Sequence, residues 1–374
     1  MIKISDIIKE LEDIPPVPKT ALDLLELTND IRANAGKATE ILSKDPALSM
    51  KVLKAANSAK YGYARHIATV SQAVVILGFK GLRNLILGLA VYKFLNEKGS
   101  EEGKHLWRHL ITTASLSKML TDKLGQEDPE LGFLCGLIHD IGKAVLLNRR
   151  TEIYNELLEK AEKENIPINE LEESTLGFTH ADLGRDVCRS WLLPGVLVKV
   201  VSLHHKHCIT EIGDEGSSEL LKSTIIADNL SKLFNVSSES SVHFKPEVLK
   251  LYEHRGVNQK MLEDCFSKLP EEISKLEGIF PDILSVEKLD LNVKVDLQNE
   301  AHEKTIRLFL IGKGISLTHS LADCDIFLTD DEANTKSHKA ILCDFFTNDT
   351  EHENQLICTN HLNEWLKAKE IITE

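Results

Sequence analysis

"GLIHDIGK", residues Gly136–Lys143, sets a histidine beside an aspartate within an apolar run. A charged carboxylate in apolar surroundings is costly unless it is paired or holds a cation. The doublet reads as a metal site, the remnant of one, or a helix end. Its surroundings decide the fold class. Gly103 to Leu124 and Pro129 to Asn148 each have the spacing of one helix. Helical patterns continue through "RTEIYNELLEKAEKENI", "HADLGRDVCRSW", "PGVLVKVVSLHHK" and "LLKSTIIADNLSKLF". Upstream, "IPPVPKTALDLLELTND" has a Pro-rich entry and then Ala21, Leu24, Leu25 and Thr28 in helical phase. Asp45 is an expected N-cap with Pro46 as first helical residue, and Gly78 an expected C-cap before "FKGLRNLIL". Asn57 and Ser58 are expected to end a helix and Tyr61 to pack.

The 374 residues allow two or three domains. A formal charge of −14 repels phosphate backbones. This argues against broad nucleic-acid binding, but not against a small nucleotide held by metal. None of the seven cysteines forms a CxxC pair, so neither a disulfide framework nor a zinc ribbon is implied. Reduced thiols fit a cytoplasmic protein. "MIKISDIIKELEDIPPVP" has no apolar core of signal-peptide length. The most apolar stretch, "AVVILGFKGLRNLILGLAVYKFL", is interrupted by Lys80, Arg83 and Asn84, which fits two buried helices better than a membrane span.

Beyond residue 290 the pattern changes. "TIRLFLIG", "CDIFLTD", "KAILCDFF" and "QLICT" are short apolar runs bounded by polar residues and read as strands, with "HLNEWLKAKEII" as a terminal helix. "KLDLNVKVDLQNEAHEK" is the expected boundary. The expectation is a mainly α protein, with an all-helical domain over 1–285 and a small α/β domain over 290–374.

The ordered series "IPPVPKTALDLLELTND", "ILSKDPALSMKVLKAANSAKYG", "VSQAVVILGFKGLRNLIL", "LWRH", "LIHDIGK", "FTHADLG" and "SLHHK" resembles the HDOD family, over roughly residues 5–285. That family is a bacterial, all-helical relative of the HD phosphohydrolases. The resemblance implies a bacterial signalling or regulatory protein with a signalling-protein partner and, by family habit, no catalysis.

Carried over residue by residue, the HD ligand positions fall on His109 of "LWRH", on His139 and Asp140, on His180 of "FTHADLG", on His204 and His205, and on Asp228 of "IIADNL". His105, four residues before His109, is a candidate additional ligand on the same helix face. Imidazole and carboxylate suit one or two divalent ions, iron, manganese, nickel or zinc. Lys143, one turn beyond Asp140, is the candidate for contact with a substrate phosphate and the one tentative catalytic residue. The related cyclic-di-GMP phosphodiesterases carry HHE and GYP. Here Lys206 replaces the Glu and no GYP occurs, so hydrolysis of that substrate is poorly supported. Three functions remain open: a signalling scaffold without catalysis, a metal-dependent phosphohydrolase acting on a nucleotide or other phosphoester, and a metal-dependent binder of such a ligand without turnover.

The C-terminal strands invite comparison with a receiver domain. "LFLIGKG" lacks the acidic pair that a receiver needs after its first strand, and Asp330, Asp331 and Asp344 do not complete the set. A degenerate receiver-like or other small α/β binding module is the expectation. Limited proteolysis should cut first between Ser285 and Lys304, or in "VSSESSVHF". First cleavage within "GLIHDIGK" would contradict a packed helical core there.

Overall fold

The computed structural model describes residues 4–12, 34–58, 67–205 apart from 126 and 165, 219–234 and 256–280 apart from 278, together with short strands and single positions elsewhere. The terminal helix expected at "HLNEWLKAKEII" and the positions of Tyr61 and Lys206 lie outside the described residues. Contacts divide the chain into two compact units. One comprises 1–157, 169–227 and 271–284, the other 158–168, 228–270 and 285–374.

The first unit is helical, as the resemblance implied. Its helices are α1 (Ile4–Glu12), α2 (Ala35–Ser43), α3 (Pro46–Ala56), α4 (Val70–Leu95), α5 (Glu101–Leu124), α6 (Pro129–Ile138), α7 (Ile141–Arg149), the first half of α8 (Thr151–Glu164), α9 (Ile168–Leu176), α10 (His180–Ser190), α11 (Gly195–Leu203) and the start of α12 (Glu219–Phe234). The starts are set by side chains that accept otherwise unmet backbone N–H groups. Asp45 accepts from the Leu48 N–H with Pro46 at the first helical position, as expected. Thr69 with Gln72, and Thr179 with Asp182, form reciprocal capping boxes. Asn57 closes α3, and its amide bonds both the N–H and the carbonyl of Ile67, so its role is structural.

Helix α4 is the one described helix long and apolar enough to cross a membrane. Gly78 breaks it, with φ 65° and ψ 167°, a conformation that favours glycine. The segment after the break is mostly buried against its neighbours, in line with two core helices. Asn84 is buried there and donates to both the carbonyl and the carboxylate of Glu130, which ties α4 to α6. Trp107 is fully buried between Tyr92 and Phe280, edge to face at 5.2 and 5.4 Å.

The expected single helix from Pro129 to Asn148 is two helices. α6 ends at Ile138 and α7 starts at Ile141, with His139 and Asp140 as the joint. The residues next to the joint, Gly136–Ile138 and Ile141–Gly142, are apolar or small, so the spacing conceals it.

In the second unit, strands β2 (Asn292–Asp296), β3 (Ser316–Leu317), β4 (Ile326–Thr329) and β5 (Ala340–Leu342) form a parallel sheet in the order β3-β2-β4-β5. Strand β1 (His243–Phe244) pairs antiparallel with β6 (Ile357–Cys358). Two expectations are corrected. "NVKVD", placed in the boundary, is a strand, whereas the described residues of "TIRLFLIG" are helical, with Ile306, Leu308 and Leu310 buried. A short, wholly apolar run fits a buried helix as well as a strand, and periodicity cannot choose between them. In the same unit Arg307 ion-pairs with Glu263 at 2.7 Å, on α13 (Gln259–Glu277).

Helices α7 and α10 approach at Gly142. A Cβ there would lie 1.9 Å from the His180 carbonyl oxygen, so the contact requires glycine. Replacing Gly142 with Ala should cost about 3 kcal/mol, read as a lower urea midpoint, because backbone must shift to admit the methyl.

Candidate metal centre

The candidate ligands sit mainly at helix ends. His139 is the C-cap of α6 and Asp140 the N-cap of α7. His180 opens α10, and His204 caps the end of α11 with His205 next in the chain. His109 lies on α5 and Asp228 on α12. Terminal positions let a side chain leave the helix axis without disturbing the hydrogen bonds of the helix interior. An aspartate at an N-cap ordinarily accepts from the helix N–H groups. Asp140 makes no such bond; its carboxylate is turned to the histidines instead.

That carboxylate is fully buried and has a side chain on each oxygen. Oδ1 lies 3.2 Å from Nε2 of both His180 and His204. Oδ2 lies 3.3 Å from Nε2 of His139, 3.5 Å from Nε2 of His109 and 2.7 Å from Nζ of Lys143. In the first unit Asp140, His180, His204 and His205 offer ligand atoms that all lie within 4.8 Å of one another, and His109 and His139 face the other Asp140 oxygen. Six of the seven expected positions are brought together in this unit; Asp228 belongs to the second unit. His105, the possible eighth, joins no such group and, like His109, is half-buried.

Three of the rings are held by their other nitrogen. Nδ1 of His139 donates to the Gly136 carbonyl at 2.8 Å, and Nδ1 of His204 to the Val201 carbonyl at 2.8 Å. Nδ1 of His180 faces Glu172 Oε2 at 2.6 Å. With the proton fixed at Nδ1, each neutral ring presents an Nε2 lone pair to the centre. The Nε2 atoms of His180 and His205 are 2.6 Å apart, and those of His109 and His139 3.2 Å. Two lone pairs cannot face each other at that range without a proton or a cation between them.

Burial alone would raise the Asp140 carboxyl, but the positive charge beside it, led by the Lys143 ammonium, holds it well below the usual carboxylate range. Burial lowers His180 in isolation, and the neighbouring Glu172 outweighs it, so the net shift is upward. For His204 burial wins, and its pKa falls to about 4. Cys135 and Cys188 are buried thiols pushed up to about 12, so neither is a reactive group.

One functional residue is absent from the sequence reading. Glu172, wholly buried on α9, accepts from the His180 backbone N–H at 2.8 Å as well as from its ring, and from the Tyr154 hydroxyl at 2.7 Å. The available signal was positional. Ile168, Leu171, Glu172 and Leu176 share one helical stripe, so this glutamate occupies an apolar slot among solvent-facing acids.

Compared with known proteins, residues 14–207 match the HDOD domain, and the chain belongs to the HDOD family. Among curated relatives, an uncharacterized protein of Treponema pallidum (strain Nichols) is 26% identical over 202 residues, 54% of this chain and 39% of that protein. Uncharacterized protein YuxH of Bacillus subtilis (strain 168) is 30% identical over 130 residues, 34% of this chain and 31% of YuxH. The chain thus spans about a third to two fifths of the length of these relatives. Among solved structures, an HDOD domain protein of unknown function from Geobacter sulfurreducens aligns with a TM-score of 0.62 at 21% identity, over 74% of this chain and 98% of that one. A proposed signal transduction protein from Marinobacter aquaeolei VT8 gives 0.55 at 19%, over 73% and 59%. A proposed phosphohydrolase from Shewanella amazonensis SB2B gives 0.52 at 21%, over 81% and 97%. At these identities the structures establish a shared fold.

The shifts predict how metal-free protein responds to pH. The folded pKa of His204 lies at about 4, below the 6.5 of an unfolded chain, so only the unfolded state takes up this proton between those values. Stability therefore falls as pH drops from 6.5 toward 4, by up to about 3 kcal/mol. His180 has the opposite sign. Its contribution is complete below 6.5 and is lost as pH rises through its raised pKa. Urea melts in chelator should show the loss between pH 6.5 and 4 in the native protein and a smaller one in His204→Gln.

Proposed function

We propose that this protein is a signal-transduction module of HDOD type whose helical unit holds one or two divalent metal ions and acts through protein contacts or ligand sensing. The observation that carries the metal reading is the convergence of histidine Nε2 atoms on both oxygens of one buried carboxylate, with facing lone pairs that a cation would reconcile. Asp140, His180, His204 and His205 would hold one ion, and His109 and His139, with the second Asp140 oxygen, another. Nitrogen and carboxylate donors suit iron, manganese, nickel or zinc. Such an ion supplies Lewis-acid polarisation of a phosphoryl group and a water of lowered pKa.

The contact reading is supported by the side chains of Met50 on α3 and Val75 on α4, 66% and 69% exposed, in a half of the sequence with no chemical motif. The strand order β3-β2-β4-β5 is that of the first four strands of flavodoxin-like parallel sheets, 2-1-3-4. It supports a small, receiver-like α/β domain and so a signalling context. Cytoplasmic location remains part of the proposal, on the reduced, buried cysteines.

A second reading, hydrolysis of a nucleotide or other phosphoester, is favoured by one feature. Lys143 sits 2.7 Å from Asp140 Oδ2 with its side chain 18% exposed, where its ammonium would meet a phosphate oxygen. The replacement of HHE by His204–His205–Lys206 weighs against turnover.

Elemental analysis of tag-free protein purified without chelator should find metal, and Asp140→Ala should lose it. Saturating metal at a hundredfold excess over Kd stabilises by about 2.7 kcal/mol, so Asp140→Ala should lower the melting temperature more in loaded than in chelator-treated protein. Equal shifts would make Asp140 purely structural. Metal without cleavage in a screen of nucleotides and generic phosphoesters is the expected outcome, and cleavage would establish the second reading.

A further inference from the structure

The two oxygens of Asp140 face unequal surroundings. Behind the Oδ1 side, His180 is backed by Glu172, a fully buried carboxylate 2.6 Å from the ring nitrogen opposite the one that faces Asp140. Glu172 is itself fixed, by the Tyr154 hydroxyl at 2.7 Å and by the His180 backbone N–H at 2.8 Å. Tyr154 is also buried, so the chain from Tyr154 to Asp140 runs through the interior. On the Oδ2 side a cation is already in place: Lys143 Nζ lies 2.7 Å from Oδ2. A carboxylate behind an imidazole fixes its tautomer and makes the far nitrogen a better donor. A lysine on a ligand carboxylate already supplies part of the positive charge that an incoming ion would bring.

From this asymmetry we infer that Glu172, held by Tyr154, is a positioning residue that makes the Oδ1 side (Asp140, His180, His204, His205) the tighter of two metal positions, while Lys143 weakens the Oδ2 side. The inference rests on the metal reading above and goes further, by ranking the two positions and assigning the rank to residues outside the ligand set. Burial strengthens the effect, since charge acts over a short path with little water to screen it. Glu172 makes no direct contact with a metal ligand other than His180 among its described hydrogen bonds, so its influence passes through that ring.

The test is titration of full-length, chelator-stripped protein with Co²⁺, following visible absorbance and bound-metal stoichiometry by equilibrium dialysis. Native protein should bind one equivalent tightly and a second more weakly. Glu172→Gln keeps an acceptor for the ring N–H but removes the charge, and should weaken the tight step about 10–100-fold with the weak step unchanged. Tyr154→Phe should weaken the same step several-fold. Lys143→Met should tighten the weak step and leave the tight one. Melting in chelator separates positioning from folding: the Co²⁺-dependent rise in melting temperature must shrink in Glu172→Gln even if the metal-free melting temperature also drops. Two equal steps in native protein, or equal weakening of both steps by Glu172→Gln, would overturn the ranking while the metal reading stands. No Co²⁺ bound by native protein would remove that reading, and the ranking with it.

Discussion

A carboxylate with no access to water has to be compensated, and much of the helical unit is arranged around that requirement at Asp140. The side chain is buried, carries its charge, and receives nitrogen atoms on both oxygens. Supplying those nitrogens draws in the ends of α6, α10 and α11 and one face of α5. Gly142 follows from it. The α7 backbone must approach the first residue of α10 closely enough to bring His180 to Asp140, and at that separation a methyl group has no room.

The rings themselves are aimed by ordinary backbone chemistry. The last turn of α6 leaves the Gly136 carbonyl to accept from His139, and the last turn of α11 leaves the Val201 carbonyl to accept from His204. These carbonyls are the unmet acceptors of helix C-termini, so the same hydrogen bonds finish the helices and orient two imidazoles. His180, at a helix start, has no such carbonyl to meet, and a carboxylate from α9 takes that place. The difference between a carbonyl and a charged Glu172 behind otherwise similar ligands is what makes the centre unsymmetrical.

Membership of the HDOD family fits this chemistry without deciding its use. Neighbours of the same fold include proteins proposed to transduce signals and proteins proposed to cleave phosphoesters. A centre that holds metal could serve either purpose. The proposed reading as a ligand-responsive signalling element takes both features into account, the clustered histidines and the changed residue after His205.

The sequence by itself determined the helical class and several helix starts, because caps and apolar periodicity are local signals that survive without tertiary context; the order of the seven candidate ligand positions came from the resemblance to the HD family. Asp45 with Pro46 is the clearest case. It could not locate the break at His139–Asp140, since the flanking residues are apolar on both sides and only the packing of α7 against α10 bends the chain there. Nor could it separate strand from helix in "TIRLFLIG", where burial removes the alternation that would distinguish them. Convergence was decided by tertiary structure: His109 on α5 comes within 3.5 Å of Asp140, thirty-one residues away in the sequence, only because α5 packs beside the α6–α7 joint. Glu172 looks like its solvated neighbours in sequence and becomes part of the centre only because α9 folds its apolar stripe inward beneath His180.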